Sequence, residues 1–416
     1  MADDIPALLR PADEAQLVEL LRWAVAEETP LELAAGGSKR GFGRPVQAAH
    51  RLDLSAFAGI RDYQPAELVL TAGPATPLAE LEAALAANRQ MLAFEPGDWG
   101  PLLGGPAGAG TLGGALACAL AGPRRIRAGA ARDHFLGFRA VSGRGEAFKA
   151  GGKVVKNVTG YDLPKLLAGS FGTLAALTEV TVKVLPAPER TRTLLFFGLD
   201  DAAALAALGR ALSGPFDVSG AAHLPAGIAD PLGIPHLRPG AAVTALRLEG
   251  HIPSVAARQA ALAAELAGLA AGDELHGRNS AAFWKALGDG APFAGAPFAG
   301  DGAEAILWRL SVPPAAGAAT VAAIRVPGAR WYFDWGGGLI WLALPPAANG
   351  PEDGHAAAVR GALAAGGHAT LLRGPAALRS AVPVFQPQPA PLAALSRRVK
   401  EAFDPRGILN PGRMGF

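Results

Sequence analysis

The sequence predicts an α+β protein built as two successive domains, and three observations carry that prediction. The chain has 416 residues, half of them hydrophobic, enough for more than one buried core. Through the first part, up to about residue 188, amphipathic helical stretches alternate with short strand-like runs. Pro186 and Pro188 then interrupt the pattern, and a second series of strands and helices opens at Thr191.

Residues 12–28, ADEAQLVELLRWAVAEE, place Leu17, Leu20, Leu21, Ala24 and Val25 at helical spacing behind acidic residues that suit a helix start. LELAA (31–35) reads as a short strand running into the glycine-rich loop GGSKRGFGRP (36–45). ELVLTAG (67–73) is a further strand, and TPLAELEAALAANRQ (76–90) a helix begun through Thr76 and Pro77. Loop chemistry dominates from Glu95 to Gly110. TLGGALACALAG (111–122) reads as a helix of small residues, followed by the basic turn PRRIRAGAARDH (123–134). FLGFRAVSG and EAFKAG form a hairpin turning at Gly143-Arg144-Gly145, and TLAALTEVTVKVLPAP (173–188) is a strand closed by prolines. In the second part, TRTLLFFGL and AAVTALRLEG are strands, while DAAALAALGRAL and SVAARQAALAAELAGLA are helices. EAILWRLSV adds a strand, as does each of RWYFDW and LIWLALP, joined through Gly336 to Gly338. PLAALSRRVKEAFDPRGILNPGRM (391–414) is a helix with a turn-rich tail.

Composition narrows the function classes. A formal net charge of +2 argues against a general nucleic-acid footprint, although a pI of 8.8 leaves room for a local basic patch. A single cysteine, Cys118, excludes an intrachain disulfide and any multi-cysteine metal or iron–sulfur site. The eight histidines are scattered without metal-ligand spacing, so no metal site is expected. The opening MADDIPALLRPADEAQ lacks the order of a signal peptide, and no apolar run reaches roughly 18 residues. The expectation is a cytoplasmic protein whose membrane association, if it has one, runs through partner subunits.

Four stretches carry chemistry. In Gly36-Gly37-Ser38-Lys39-Arg40-Gly41-Phe42-Gly43, residues without Cβ let backbone amides approach an anion, and Lys39 and Arg40 add charge. A flexible turn with solvated basic residues reads equally well there. Gly113 and Gly114 allow close backbone approach at a helix start, or simply tight helix packing. Arg124, Arg125, Arg127 and Arg132 make either a solvated basic face or a dock for an anionic substrate or acidic partner. Finally, KNVTGYDLPKLLAGSFGTL (156–174) crowds Asn157, Thr159, Tyr161, Asp162, Ser170 and Thr173 beside leucines that favour burial. Such polar groups cost free energy when buried unpartnered, and a polar ligand would supply partners.

The joint order of GGSKRGFG, TLGGALACALAGPRRIRAGAARDH, KNVTGYDLPKLLAGSFGTL and FDPRGILNPGRM resembles the FAD-binding family of vanillyl-alcohol-oxidase (PCMH) type. The likeness is strongest to the FAD-binding subunits of bacterial glycolate oxidase (glycolate dehydrogenase). It extends through FDWGGGLIWL and AGGHATLLRG of the second domain. The resemblance implies a two-subdomain FAD-binding domain over residues 1–188, split at about 72/73. An α+β cap over 189–390 and a segment 391–416 returning to the first domain follow. It implies that Gly36, Gly37, Ser38, Lys39, Arg40 and Gly41 wrap the FAD pyrophosphate, that Gly113 and Gly114 continue the cradle, and that Arg132 and Asp133 pass near the flavin. Tyr161 and Asp162 fall in a flavin-facing turn, and Ser170, Gly172, Thr173 and Leu174 in the GSxGTL loop. Thr178 and Val180 lie on the strand whose backbone meets the adenine or ribose side, and Asn410 and Arg413 on the returning tail.

Departures from the family matter as well. The metal-binding HxGDGNxH-like motif of related 2-hydroxy-acid dehydrogenases does not occur, and Phe171 stands where they carry the acid of GSEG. Ser38 lies in the loop region where some oxidases bond a histidine to the flavin, so non-covalent FAD is expected. The resemblance implies a subunit of a complex with a homologous catalytic flavoprotein and an iron–sulfur subunit. That complex oxidises glycolate to glyoxylate and passes electrons to a quinone-linked acceptor. Two alternatives stay open: a self-sufficient glycolate or D-lactate dehydrogenase, with Arg132 and Tyr161 holding the substrate carboxylate, or a structural flavoprotein subunit without turnover. No residue is identified as the base that an α-hydroxy acid requires.

Overall fold

In the computed structural model, which describes residues 7–153, 160–269, 272–295, 305–346 and 353–415, the first helix runs over Glu14–Ala26. Asp13 caps it by accepting a hydrogen bond from the Gln16 amide. Leu17, Leu21 and Ala24 recur on one face of this helix and have no exposed surface. They share a core with Leu31, Leu52, Val141, Ala176, Ile408 and Leu409. Burying each leucine there contributes about 1.5–3 kcal/mol, so the core ties distant parts of the chain together.

The described chain clusters into two compact units. The first holds the chain up to Leu120, Ala130–Pro186 and the segment from Pro387; the second holds Ala121–Gly129 and Ala187–Gln386. The second unit therefore takes in residues 121–129, which the sequence reading left in the first.

In the first unit, strand His50–Asp53 pairs in parallel with Ala7–Leu9 on one side and Leu31–Ala34 on the other. A five-stranded antiparallel sheet follows, in the order Ile60–Gln64, Val69–Ala72, Ala175–Lys183, Phe135–Ser142, Ala147–Gly151. The tail returns through helix Ala390–Phe403, after which Leu409 bridges in parallel to Leu31. The buried Lys400 ammonium donates to the Thr173 carbonyl (2.6 Å) and the Leu409 carbonyl (3.1 Å), and pairs with Asp404. The Asp404 carboxylate also accepts the Ile408 and Leu409 amides, at 3.0 and 2.8 Å. This buried pair fastens the tail to the turn ahead of strand Ala175–Lys183.

The helix expected over 111–122 is shorter. It spans Leu112–Ala117, is capped by Thr111, and ends at Cys118, with Ala119 in the left-handed region (φ 48°). Nor does Thr76 cap helix Leu78–Ala87; its hydroxyl turns back to the Gly73 carbonyl at 2.7 Å.

The second unit is an eight-stranded sheet. Its order is Gly272–His276, Arg190–Phe197, Val243–Gly250, Val218–Leu224, Arg330–Asp334, Leu339–Leu344, Ile306–Ser311, His368–Arg373. Three arginines of the basic run are engaged inside this unit. Arg124 makes two 2.9 Å bonds to Glu249, Arg127 pairs with Asp217 at 2.5 Å, and the Arg125 guanidinium lies 4.3 Å from the Trp335 ring centre. Neither a solvated face nor a docking surface describes Arg124, whose side chain is 12% exposed.

Candidate functional site

Strand Leu31–Ala34 delivers the chain into the glycine-rich loop, which folds as successive tight turns: the Arg40 amide donates to the Gly37 carbonyl and the Phe42 amide to that of Lys39. Gly37 needs its lack of a side chain, since its φ is +72°. The loop forms one wall of a cleft in the first unit, with Gly113 and Gly114 on a second wall and Gly172, Asn410 and Arg413 on a third. Of the residues expected to wrap a pyrophosphate, Gly36, Gly37, Ser38, Lys39 and Arg40 line the cleft. Gly41 faces Leu103, where an added Cβ would sit 3.4 Å from its carbonyl oxygen.

The lining residues have distinct jobs. The Gly113 amide donates to the Pro74 carbonyl at 2.7 Å and the Gly114 amide to the Thr111 hydroxyl at 3.2 Å, so neither is a free donor. A Cβ on Gly113 would lie 2.5 Å from Pro74, and one on Gly114 would lie 3.1 Å from Cε of Lys39. These glycines bring walls together instead of presenting amides. Arg40 points its guanidinium at Glu32, with bonds of 2.9 and 2.6 Å. Asn410 is engaged by backbone: its Oδ1 accepts the Leu33 amide at 2.8 Å and its Nδ2 donates to the Phe171 carbonyl at 2.7 Å. Arg413 donates to the carbonyls of Arg40 (2.8 Å) and Phe42 (3.0 Å).

Lys39 is the exception. Its ammonium bonds the Ser38 hydroxyl at 2.9 Å, and among the described residues no carboxylate stands within ion-pairing distance. Burial pulls its pKa below the usual lysine value, with weak opposition from Cys118 and Asp98. A desolvated cation facing a glycine-walled cleft suits an anionic ligand. Cys118 lines the same cleft, and burial pushes its thiol up to about 11, so it stays protonated at neutral pH.

Apart from Gly172, which lines the cleft, the remaining expected residues lie elsewhere in the same unit. Ser170, Gly172 and Thr173 form a turn in which the Thr173 hydroxyl donates to the Ser170 carbonyl at 2.7 Å, and Leu174 is buried beyond it. The Thr178 hydroxyl donates to Glu14 at 2.6 Å, and Val180 pairs with Phe138 on one side and Ala72 on the other. Asp133 accepts the Ala130 amide at 2.8 Å. Tyr161 is 91% exposed, and Asp162 caps helix Leu163–Leu167. The Lys165 ammonium lowers the Asp162 pKa, and Arg132 adds to the effect, which places Arg132 near this turn. Lys156, Asn157, Val158 and Thr159 lie outside the described residues.

Sequence reasoning missed Glu32 and the aromatic floor of the loop. The Phe42 ring packs 5.6 Å from Trp99 and 4.9 Å, edge-on, from Phe171.

The profile of an FAD binding domain family matches residues 5–151, and that of the C-terminal domain of FAD linked oxidases matches residues 388–414. These two matches include the loop, Gly113, Gly114 and the returning tail. The glycolate oxidase subunit GlcE of Escherichia coli (strain K12) is 36% identical over 410 residues, 98% of this chain and 99% of that protein. The chain belongs to the GlcE family of FAD-linked oxidoreductases. The glycolate oxidase subunit GlcD of Bacillus subtilis (strain 168) shares 42% identity over 85 residues, 20% of this chain and 18% of its own. In fold, this GlcE-family protein is similar to 4-ethylphenol oxidase from Gulosibacter chungangensis. That likeness has a TM-score of 0.71 at 15% identity over 98% of this chain and 88% of the oxidase. FAD is the cofactor of the family, and the cleft fits it on two grounds. Lys39 offers a diphosphate a cation with no carboxylate in ion-pairing distance among the described residues, and the walls approach through glycines, a Cβ at Gly36, Gly113 or Gly114 lying 2.1, 2.5 or 3.1 Å from the neighbouring wall.

Proposed function

We propose that this chain is the FAD-holding subunit of a multi-subunit glycolate oxidase. The complex takes glycolate to glyoxylate, releasing two electrons and two protons, and sends the electrons through an iron–sulfur subunit to a quinone-linked acceptor. The observation that carries this reading is the match to GlcE along nearly the whole of both chains, against 20% of this chain for the GlcD relative. Bound FAD would supply the hydride-accepting and single-electron chemistry that such a relay needs. The protein's own residues would supply placement and charge. Lys39 would neutralise part of the diphosphate, Phe42 and Phe171 keep the loop's inner side apolar, and Cys118 stays a neutral thiol. Ser38 offers a hydroxyl where covalent flavoproteins of this type carry histidine, so the flavin is held non-covalently. Arg132, on the short helix Ala131–His134, and the exposed Tyr161 would be the groups to meet a substrate carboxylate. The protein resides in the cytoplasm, and contact with the inner membrane is made through its partners.

The test is an absorbance spectrum of the purified chain before and after anaerobic glycolate, repeated with the GlcD-type and iron–sulfur partners. A flavin band that stays oxidised in the chain alone and bleaches in the complex is the expected result. Bleaching of the isolated chain would make it a self-sufficient dehydrogenase, and a flavin in the complex that never bleaches would leave it a structural role.

A further inference from the structure

We infer that Glu32 is the positioning residue of the cofactor cradle, acting through Arg40 and Arg413 to set the loop's shape and to decide which cation faces the diphosphate. This deepens the cofactor assignment above and rests on FAD occupying this cleft.

Glu32 sits on strand Leu31–Ala34, immediately ahead of the loop, with a side chain 12% exposed. Its two oxygens gather three guanidiniums: Arg40 at 2.9 and 2.6 Å, Arg51 at 3.4 Å and Arg413 at 3.5 Å. Burial opposes its ionisation, but the three arginines outweigh burial and hold the carboxyl below its usual range. Two of those arginines touch the loop. Arg40 belongs to it, and Arg413 binds the Arg40 and Phe42 carbonyls through its other guanidinium nitrogen. Carbonyl oxygens turned toward a phosphate would repel it, and Arg413 holds these two in its own bonds. The same carboxylate holds the Arg40 guanidinium in two bonds, leaving the neighbouring Lys39, which has no such partner among the described residues, as the cation that meets the ligand. Glutamine at position 32 keeps the shape, removes the charge, and releases both arginines at once.

The experiment uses the full chain stripped of flavin and titrated with FAD, following the quenching of flavin fluorescence. The melting temperature is read with and without FAD. Glu32→Gln should weaken FAD binding at least tenfold, because bonds to charged groups are lost, and should shrink the FAD-induced rise in melting temperature. Arg51→Gln removes a contact to the same carboxylate without touching the loop and should leave FAD affinity within twofold. Should Glu32→Gln not fold, Arg40→Gln, at a more exposed side chain, should still weaken binding severalfold. Equal loss of apo and holo stability in Glu32→Gln with unchanged FAD affinity would reduce Glu32 to a structural ion-pair residue and overturn the inference, as would unchanged affinity in Arg40→Gln. Gly114→Val separates the two levels. If it retains flavin, the cleft assignment itself falls; if it loses flavin while Glu32→Gln does not, the role of Glu32 alone falls.

Discussion

Replacing Lys39 by methionine should weaken FAD binding while leaving the apoprotein as stable or more stable. The side chain keeps its length, so the change isolates the charge. In the apoprotein that ammonium is desolvated against a hydroxyl at 2.9 Å, with the Asp98 carboxylate turned to the Gly100 and Gly108 amides. With a diphosphate present it gains charge-assisted bonds worth about 1.5–3 kcal/mol net, equivalent to a roughly 10- to 150-fold change in Kd. The sign of the pH dependence follows from the lowered pKa. The folded apoprotein binds the Lys39 proton less readily than the unfolded chain, so this group's contribution to apo stability improves as pH rises through the folded pKa toward 10.5. FAD affinity moves the opposite way, falling across that window as the cation is lost. Fluorescence titration of the stripped protein between pH 7 and the alkaline limit of folding gives the affinities, and thermal melting gives the stabilities. Kd within twofold of the parent, or an apo melting temperature several degrees lower, would show that the amine is structural and does not face the diphosphate.

Three further outcomes are expected. Gly114→Val sets its Cβ 3.1 Å from Lys39 Cε and 3.2 Å from the Thr111 hydroxyl, and the protein should purify without flavin absorbance. Lys400→Met leaves the buried Asp404 carboxylate with only its amide donors among the bonds described above, and should cost about 3–5 kcal/mol in urea unfolding; a loss below 1 kcal/mol would mean the pair contributes little. Burial opposes the ionisation of Glu249, but Arg247 and Arg124 prevail and bring it from 4.5 to about 2. The stability it confers is complete above pH 4.5 and is lost as pH falls toward 2, about 3 kcal/mol in all. Glu249→Gln should flatten unfolding free energy against pH in that window.

The sequence pattern made the loop and tail motifs legible because their glycines, Asn410 and Arg413 sit in a recognisable order. It did not say which atoms they use. Gly113 reads either as a close-approach or as a packing glycine, and it packs on Pro74; Asn410 and Arg413 line the cleft while bonding to backbone across 377 and 373 residues of chain. Glu32 was illegible for a related reason. In LELA it occupies the position of a solvent-facing residue on a half-buried strand, and two of its partners, at 51 and 413, are remote in sequence. Strand Val218–Leu224 escaped notice because VSGAAHL is buried at every residue and so shows no alternation. Its Gly220 is there for space, since a Cβ would lie 2.9 Å from the Trp284 ring.

The parallel bridge between Leu31 and Leu409 has a temporal side. A polypeptide emerges from the ribosome in order, so the strand that feeds the glycine-rich loop is made early and its companion segment only after the whole eight-stranded sheet has been synthesised. Until residues 404–414 arrive, the Leu31 carbonyl, the Leu33 amide and the Phe171 carbonyl lack the partners they have in the finished protein. On the proposed reading of this cleft, the cofactor site closes only at the end of synthesis, and a chain interrupted in its second unit would lack these three bonds.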